Sequence, residues 1–173
     1  MTPPGVPHVV VLASAAEDYG ADRMLRRSVA GLVADHRVTV ALPVDGPLRA
    51  RLEADGATVV VLADFALRRR YLAPRQAPGL LWRNAIALTR LARLHRRDPI
   101  DLVVTNTAAV VTGSALATIL RRPHVWHVHE VLDDPPAFAR AQAWFVRRTS
   151  DRVVACSGAV SYTHLTLPTI YSV

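Results

Sequence analysis

Short continuous apolar runs alternate along this chain with segments whose apolar residues recur at helical spacing. The runs at Val9 to Ala13, Val38 to Leu42, Thr58 to Leu62, Asp101 to Thr105, His124 to Val128 and Arg152 to Cys156 predict strands buried on both faces. The periodic segments predict helices over Ala21 to Ala34, Leu48 to Ala54, Gly79 to Arg97, Ala108 to Leu120 and Phe138 to Arg148. Strands that alternate with helices pair in parallel through right-handed crossovers. The expected fold is therefore α/β, a Rossmann-like three-layer sandwich with a parallel six-stranded sheet in order 3-2-1-4-5-6. Asp64 to Pro78, with three consecutive arginines and two prolines, reads as a long surface connection.

Two elements carry more than their periodicity. In the helix over Gly79 to Arg97, Leu81, Ala85, Leu88 and Ala92 fall on one face, with Arg83, Arg90, Arg93 and Arg97 nearly opposite. Such a stripe is a solvated helix back or, with Arg68 to Arg70 and an exposed Trp82, a surface for anionic lipid. In His124 to Glu130, side chains alternate, so Val125, His127 and His129 share one side and His124, Trp126, Val128 and Glu130 the other. Histidines and a carboxylate are costly inside a sheet, and least so at a strand's carboxyl end, where open parallel sheets bind ligands. His129 and Glu130 are thus the first site candidates.

Composition narrows the chemistry. The chain has 173 residues, 51% of them hydrophobic, enough for one well-buried domain. Its net charge of +7 rests on arginine alone, for there is no lysine, which excludes a Schiff-base lysine and a phosphate-loop lysine. Aromatic residues make up 6%, and no nucleic-acid motif accompanies the charge, so nucleic acid is not the expected partner. A single cysteine, Cys156, excludes an internal disulfide and fits a cytoplasmic location. No apolar run approaches a membrane span, so any membrane contact is expected to be peripheral.

Familiar site motifs are incomplete. The first loop has a single glycine, Gly20, where a dinucleotide fold uses three, yet the helix after it can offer its amides to an anion. His127 and His129 have metal-ligand spacing without a third ligand, so no metal is expected. Ala155 and Ala159 stand where a nucleophile elbow needs glycines, which leaves Ser157 as a helix cap. Asp133-Asp134 reads as the cap of the next helix.

Taken in order, Tyr19-Gly20-Ala21-Asp22-Arg23, the x-H-V-H-E pattern at Trp126 to Glu130 and the D-R-V-V-A-x-S pattern at Asp151 to Ser157 resemble the N-terminal domain of glycosyltransferase family four. Relative to that family's G-G-x-E-R, the first loop has lost one glycine and shortened Glu to Asp. The resemblance covers about residues 8 to 160 and implies the acceptor-side half of a GT-B fold. It implies a retaining enzyme that moves a sugar from a nucleotide-sugar donor to a sugar or lipid acceptor without a further cofactor. It places His129 near the donor sugar as the catalytic candidate. Gly20, Ala21, Asp22, Arg23, Asn106, Thr107, Glu130 and Ser157 become cleft candidates. The family's donor-binding C-terminal domain is missing, so the chain is expected to be inactive alone. The alternative is a stand-alone Rossmann-like module that binds a nucleotide or sugar.

Residues 1–160 are expected to form the domain. Residues 161–173 lack Ala, Arg, Gly, Asp and Glu, and V-S-Y-T-H-L-T-L-P-T from Val160 resembles a translated sequencing adapter. That segment is expected to be a non-native tail, with a genuine T-L-T-L strand as the alternative.

Overall fold

The structure is a computed structural model and describes residues 5–17, 20–66, 74–107, 109–129, 136–155 and 170–172. The elements run β1 (His8–Leu12), α1 (Gly20–Leu32), β2 (Arg37–Leu42), α2 (Pro47–Ala54), β3 (Thr58–Val61), α3 (Ala77–Arg97), β4 (Leu102–Thr105), α4 (Thr112–Leu120), β5 (His124–Val128), α5 (Pro136–Arg148), β6 (Arg152–Ala155) and β7 (Ile170–Ser172). Every neighbouring pair of strands is parallel, in the order β3-β2-β1-β4-β5-β6-β7. The six anticipated strands take their anticipated places. The seventh comes from the segment set aside as a tail, and it pairs Ile170 with Val153 at the open edge of β6, where unpaired backbone groups accept an extended segment.

The core lies on both sides of the sheet. Val9 and Val11 of β1 and Val38, Val40 and Leu42 of β2 pack under α1 and α2 with Leu25, Val29, Leu48 and Leu52. Val10 and Leu12, on the alternate face, pack with Ala87 and Leu91 of α3 and Leu116 of α4. Trp126 and Val128 meet Val146 of α5 on that same side. At Gly113, α4 comes so close to the sheet that an added Cβ would stand 1.9 Å from Thr105 Oγ1. Only a residue without a side chain permits that approach.

Two expectations about the third helix are corrected. The inward stripe of α3 runs through Asn84, Ala87 and Leu91, whereas Leu81 is 70% exposed and Ala85 faces solvent. Arg83 is half-buried, not exposed, because its Nε donates to the Asp64 carbonyl at 3.1 Å. Asn84 donates to the Phe65 carbonyl at 3.3 Å and accepts the Thr112 hydroxyl at 2.5 Å. These polar anchors set the helix phase. They also draw the start of the connection inward, so Phe65 and Ala66 are core residues rather than surface ones. Arg68 to Arg70 and the Asp133-Asp134 cap lie outside the described residues.

The amino edge carries the same clamp twice. Asp101 Oδ2 accepts the His8 backbone N–H at 2.9 Å while the Asp101 N–H donates to the His8 carbonyl at 2.9 Å. Asp151 holds His124 in the same way, at 2.8 and 2.9 Å. Each buried imidazole then reaches the other neighbouring strand, His8 Nε2 to Thr39 Oγ1 at 2.8 Å and His124 Nε2 to Thr105 Oγ1 at 2.7 Å. Three strands are thus tied at each histidine. Because removal of the aspartate strands a buried N–H, Asp101→Ala and Asp151→Ala are each expected to cost about 1–3 kcal/mol. Urea unfolding of the single variants measures the loss.

Candidate functional site

Since all strands are parallel, β1, β4 and β5 present their carboxyl ends at one edge, and the register sets Leu12 beside Thr105 and Thr105 beside Trp126. The sheet order reverses direction between β1 and β4, which opens a crevice beyond their ends. Asn106 sits at that point. Its N–H donates to the Leu12 carbonyl at 2.9 Å, and the residue is only 4% exposed. A side-chain amide held this way has its carbonyl available along the edge. His129 Nε2 donates to Asn106 Oδ1 at 2.9 Å.

This pairing unites two candidates that lie 23 residues apart. His129 is half-buried and its ring lies 4.1 Å from that of His127, which is more buried, as alternation down β5 requires. Thr107 is buried and its hydroxyl accepts the Ala109 N–H at 3.1 Å, which tightens the turn that leads toward α4. Among the described residues no three His, Cys, Asp or Glu side chains converge as metal ligands.

The first-loop candidates divide. Gly20 opens α1 after the carboxyl end of β1, with Ala21 beside it, and Asp22 is buried in the same turn, where a negative charge suits the helix N-terminus. Arg23 instead is exposed and joins Arg26, Arg27 and Arg51 along a groove between α1 and α2. Glu130 and Ser157 lie outside the described residues.

β5 carries a histidine at each end, and their surroundings separate their roles. His124 Nδ1 donates to the Thr149 carbonyl at 2.5 Å, and Trp126 Nε1 donates to the Thr149 hydroxyl at 3.3 Å. Burial pushes the His124 pKa down, with the Thr149 carbonyl and the Asp151 charge opposing it. His124 is a neutral structural residue, and His129 the one at the ligand edge.

Residues 19–166 match the family model of Glycosyltransferase Family 4, and the chain belongs to that family. The fold is that of the N-terminal half of GT-B enzymes. HepE of Anabaena, solved with UDP and glucose, is 22% identical with a TM-score of 0.67, over 90% of this chain and 40% of its own. MurG of Acinetobacter baumannii is 16% identical with a TM-score of 0.60, over 96% and 44%. UGT2 of Phytolacca americana, complexed with UDP-2fluoro-glucose and pterostilbene, is 13% identical with a TM-score of 0.63, over 98% and 54%. The chain spans about two fifths of the HepE length it matches. The sequence matches none of the curated proteins.

The depressed His124 pKa has a consequence for stability. The unfolded chain binds the proton more readily, so the stability conferred by neutral His124 is complete above its ordinary pKa of 6.5 and is lost as pH falls through the folded value. Asp55, bonded to Arg26, and Asp98, bonded to Arg37, have pKa values below their ordinary 3.8, and their contribution is lost only at stronger acid. Thermal unfolding from pH 7 to 5 is expected to show a falling Tm in the native chain. The slope should flatten in His124→Asn.

Proposed function

We propose that this chain is the acceptor-side wall of a retaining glycosyltransferase that moves a sugar from a nucleotide-sugar to a sugar or lipid acceptor. The observation that carries the reading is the Asn106–His129 pair at the direction reversal of the sheet, in a chain of glycosyltransferase family 4. HepE and UGT2, which share the fold, were solved with UDP or a UDP-sugar analogue, and this supports a nucleotide-sugar donor.

In this reading the bond to the donor diphosphate breaks as the acceptor oxygen bonds to the same face of the anomeric carbon, and the acceptor proton leaves with the diphosphate. His129, aligned by Asn106, is the candidate that borders the donor sugar. The first turn of α1, from Gly20 to Arg23, offers backbone amides toward the diphosphate. Asn106 and Thr107 border the acceptor side. No metal or other cofactor takes part. A second, donor-binding domain supplies the remaining wall. The work is done on the cytoplasmic side, with peripheral contact where the acceptor is a lipid; among the described residues no helix is long and apolar enough to cross a membrane.

Positioning of donor against acceptor supplies roughly 7–11 kcal/mol of such a barrier, and one wall cannot provide it. The 173-residue chain is therefore expected to transfer no sugar when incubated with labelled nucleotide-sugars and acceptors. Once the intact gene has been read past Val160, the complete enzyme is expected to turn over, and His129→Ala in it to lower kcat roughly 10²- to 10³-fold. Multiple turnover by the isolated chain would show that the half-site reading is mistaken.

A further inference from the structure

We infer that the groove between α1 and α2 is a binding site for a soluble anion bearing two linked phosphates. The groove is open, has a volume of about 440 Å³, and is lined by Arg23, Arg26, Arg27 and Ala30 of α1 and by Arg51 and Asp55 at the end of α2. Helical spacing builds its α1 wall. Residues three and four apart share a face, so Arg23, Arg26, Arg27 and Ala30 form one ridge while Leu25 and Val29 turn into the core. Ala30, with only a methyl group, leaves room beside the long arginine side chains.

Charge identifies the ligand. Four arginines against one aspartate leave the lining with a net charge of +3. The other acids of these helices stand apart from it: Asp22 is buried, and Glu53, together with Asp45, is bonded by Arg49 at 3.0 and 3.3 Å. A phosphate group carries about 1.5–2 negative charges at neutral pH, so two phosphates match this lining better than one. Guanidinium forks fit phosphate oxygens two at a time. Arg26 also braces the groove, for its Nη2 donates to Asp55 Oδ1 at 2.8 Å and its Nε to Asp55 Oδ2. That bond sets α1 against α2 before any ligand arrives, which lowers the ordering cost of binding.

The surroundings argue against larger partners. Among the described residues the large exposed apolar side chains are Leu81, Trp82, Val111, Ile119 and Trp144, and none of them belongs to α1 or α2, so this flank has nothing to insert into lipid. No aromatic ring lines the groove on which a nucleic-acid base could stack. The site is also separate from the crevice. Both helices start at the carboxyl ends of their strands and run back along the sheet, so the groove leads from Arg23 down the outer flank, away from Asn106 and His129. The inference therefore does not rest on the transfer chemistry.

Titration of the labelled 173-residue chain with pyrophosphate, at constant ionic strength, tests it through the arginine Nε–Hε correlations and by calorimetry. The signals of Arg27 and Arg51, assigned from R27Q and R51Q, are expected to move together and saturate, while those of Arg90 and Arg93 on α3 stay in place. R27Q/R51Q should weaken pyrophosphate binding roughly tenfold or more, since hydrogen bonds to a charged group are lost, and R90Q/R93Q should leave it unchanged. Arg27 and Arg51 are exposed, so urea unfolding of R27Q/R51Q should match the native chain and exclude a folding defect. Unmoved Arg27 and Arg51 signals, equal shifts at Arg90 and Arg93, or the same response to sulfate at equal ionic strength would each overturn the proposal. Binding of oligothymidylate or of anionic vesicles that R27Q/R51Q weakens, with pyrophosphate binding unaffected, would overturn it in favour of a polymer or a membrane.

Discussion

The register of this sheet is fixed at its amino edge, and the candidate site at the opposite edge depends on it. Asp101 and Asp151 each close a two-bond clamp on the histidine that opens the neighbouring strand. In a parallel pair, a shift of one residue at one end displaces the other end equally and turns every side chain to the opposite face. The clamps therefore decide that Thr105 ends level with Leu12, that Asn106 can bond the Leu12 carbonyl, and that β5 releases His129 where Asn106 can accept from it. Structure at one end of the strands becomes geometry at the other.

Burial and exposure divide the histidines of the chain by function in the same way. His8 and His124 are enclosed, and each is bonded to a threonine of an adjacent strand, so they serve packing and register. His129 lies past the last paired residue of β5, half-buried, with its ring beside His127 and its Nε2 on Asn106. A buried imidazole that stays neutral stabilises a core; one at a strand end can meet a ligand. The two roles occupy opposite ends of a five-residue strand.

Much of this was legible in the sequence because the signals were local. Continuous β-branched runs separated by helical segments specify a parallel sheet, and the crossover rule then orders the strands. Alternation in His124 to Val128 put Trp126 and His127 on opposite faces of the sheet, and both are buried. What escaped was long-range. Alanine and leucine on several sides of α3 blur its periodicity, and its true phase comes from Arg83 and Asn84 bonding a loop about 19 residues away. Phe65 looked like part of a polar connection because its burial depends on those same bonds. The last strand could not be read from Ile170 to Ser172, since an edge pairing of three residues has almost no pattern of its own. Asn106 and His129 were each visible as strand-end residues, but the bond between them exists only once β4 and β5 are adjacent.

The central claim is that Asn106 fixes His129 at the ligand edge in one tautomer. Long-range proton–nitrogen correlation spectra of the imidazoles in the labelled 173-residue chain test it most directly, with the His129 signals assigned by comparison with His129→Gln. The account predicts His129 carrying a proton on Nε2, a mixture of tautomers in Asn106→Ala, and movement of the native signals when a nucleotide-sugar or acceptor is added. A proton on Nδ1 in the native chain, or an unchanged tautomer after Asn106 is replaced, would contradict it.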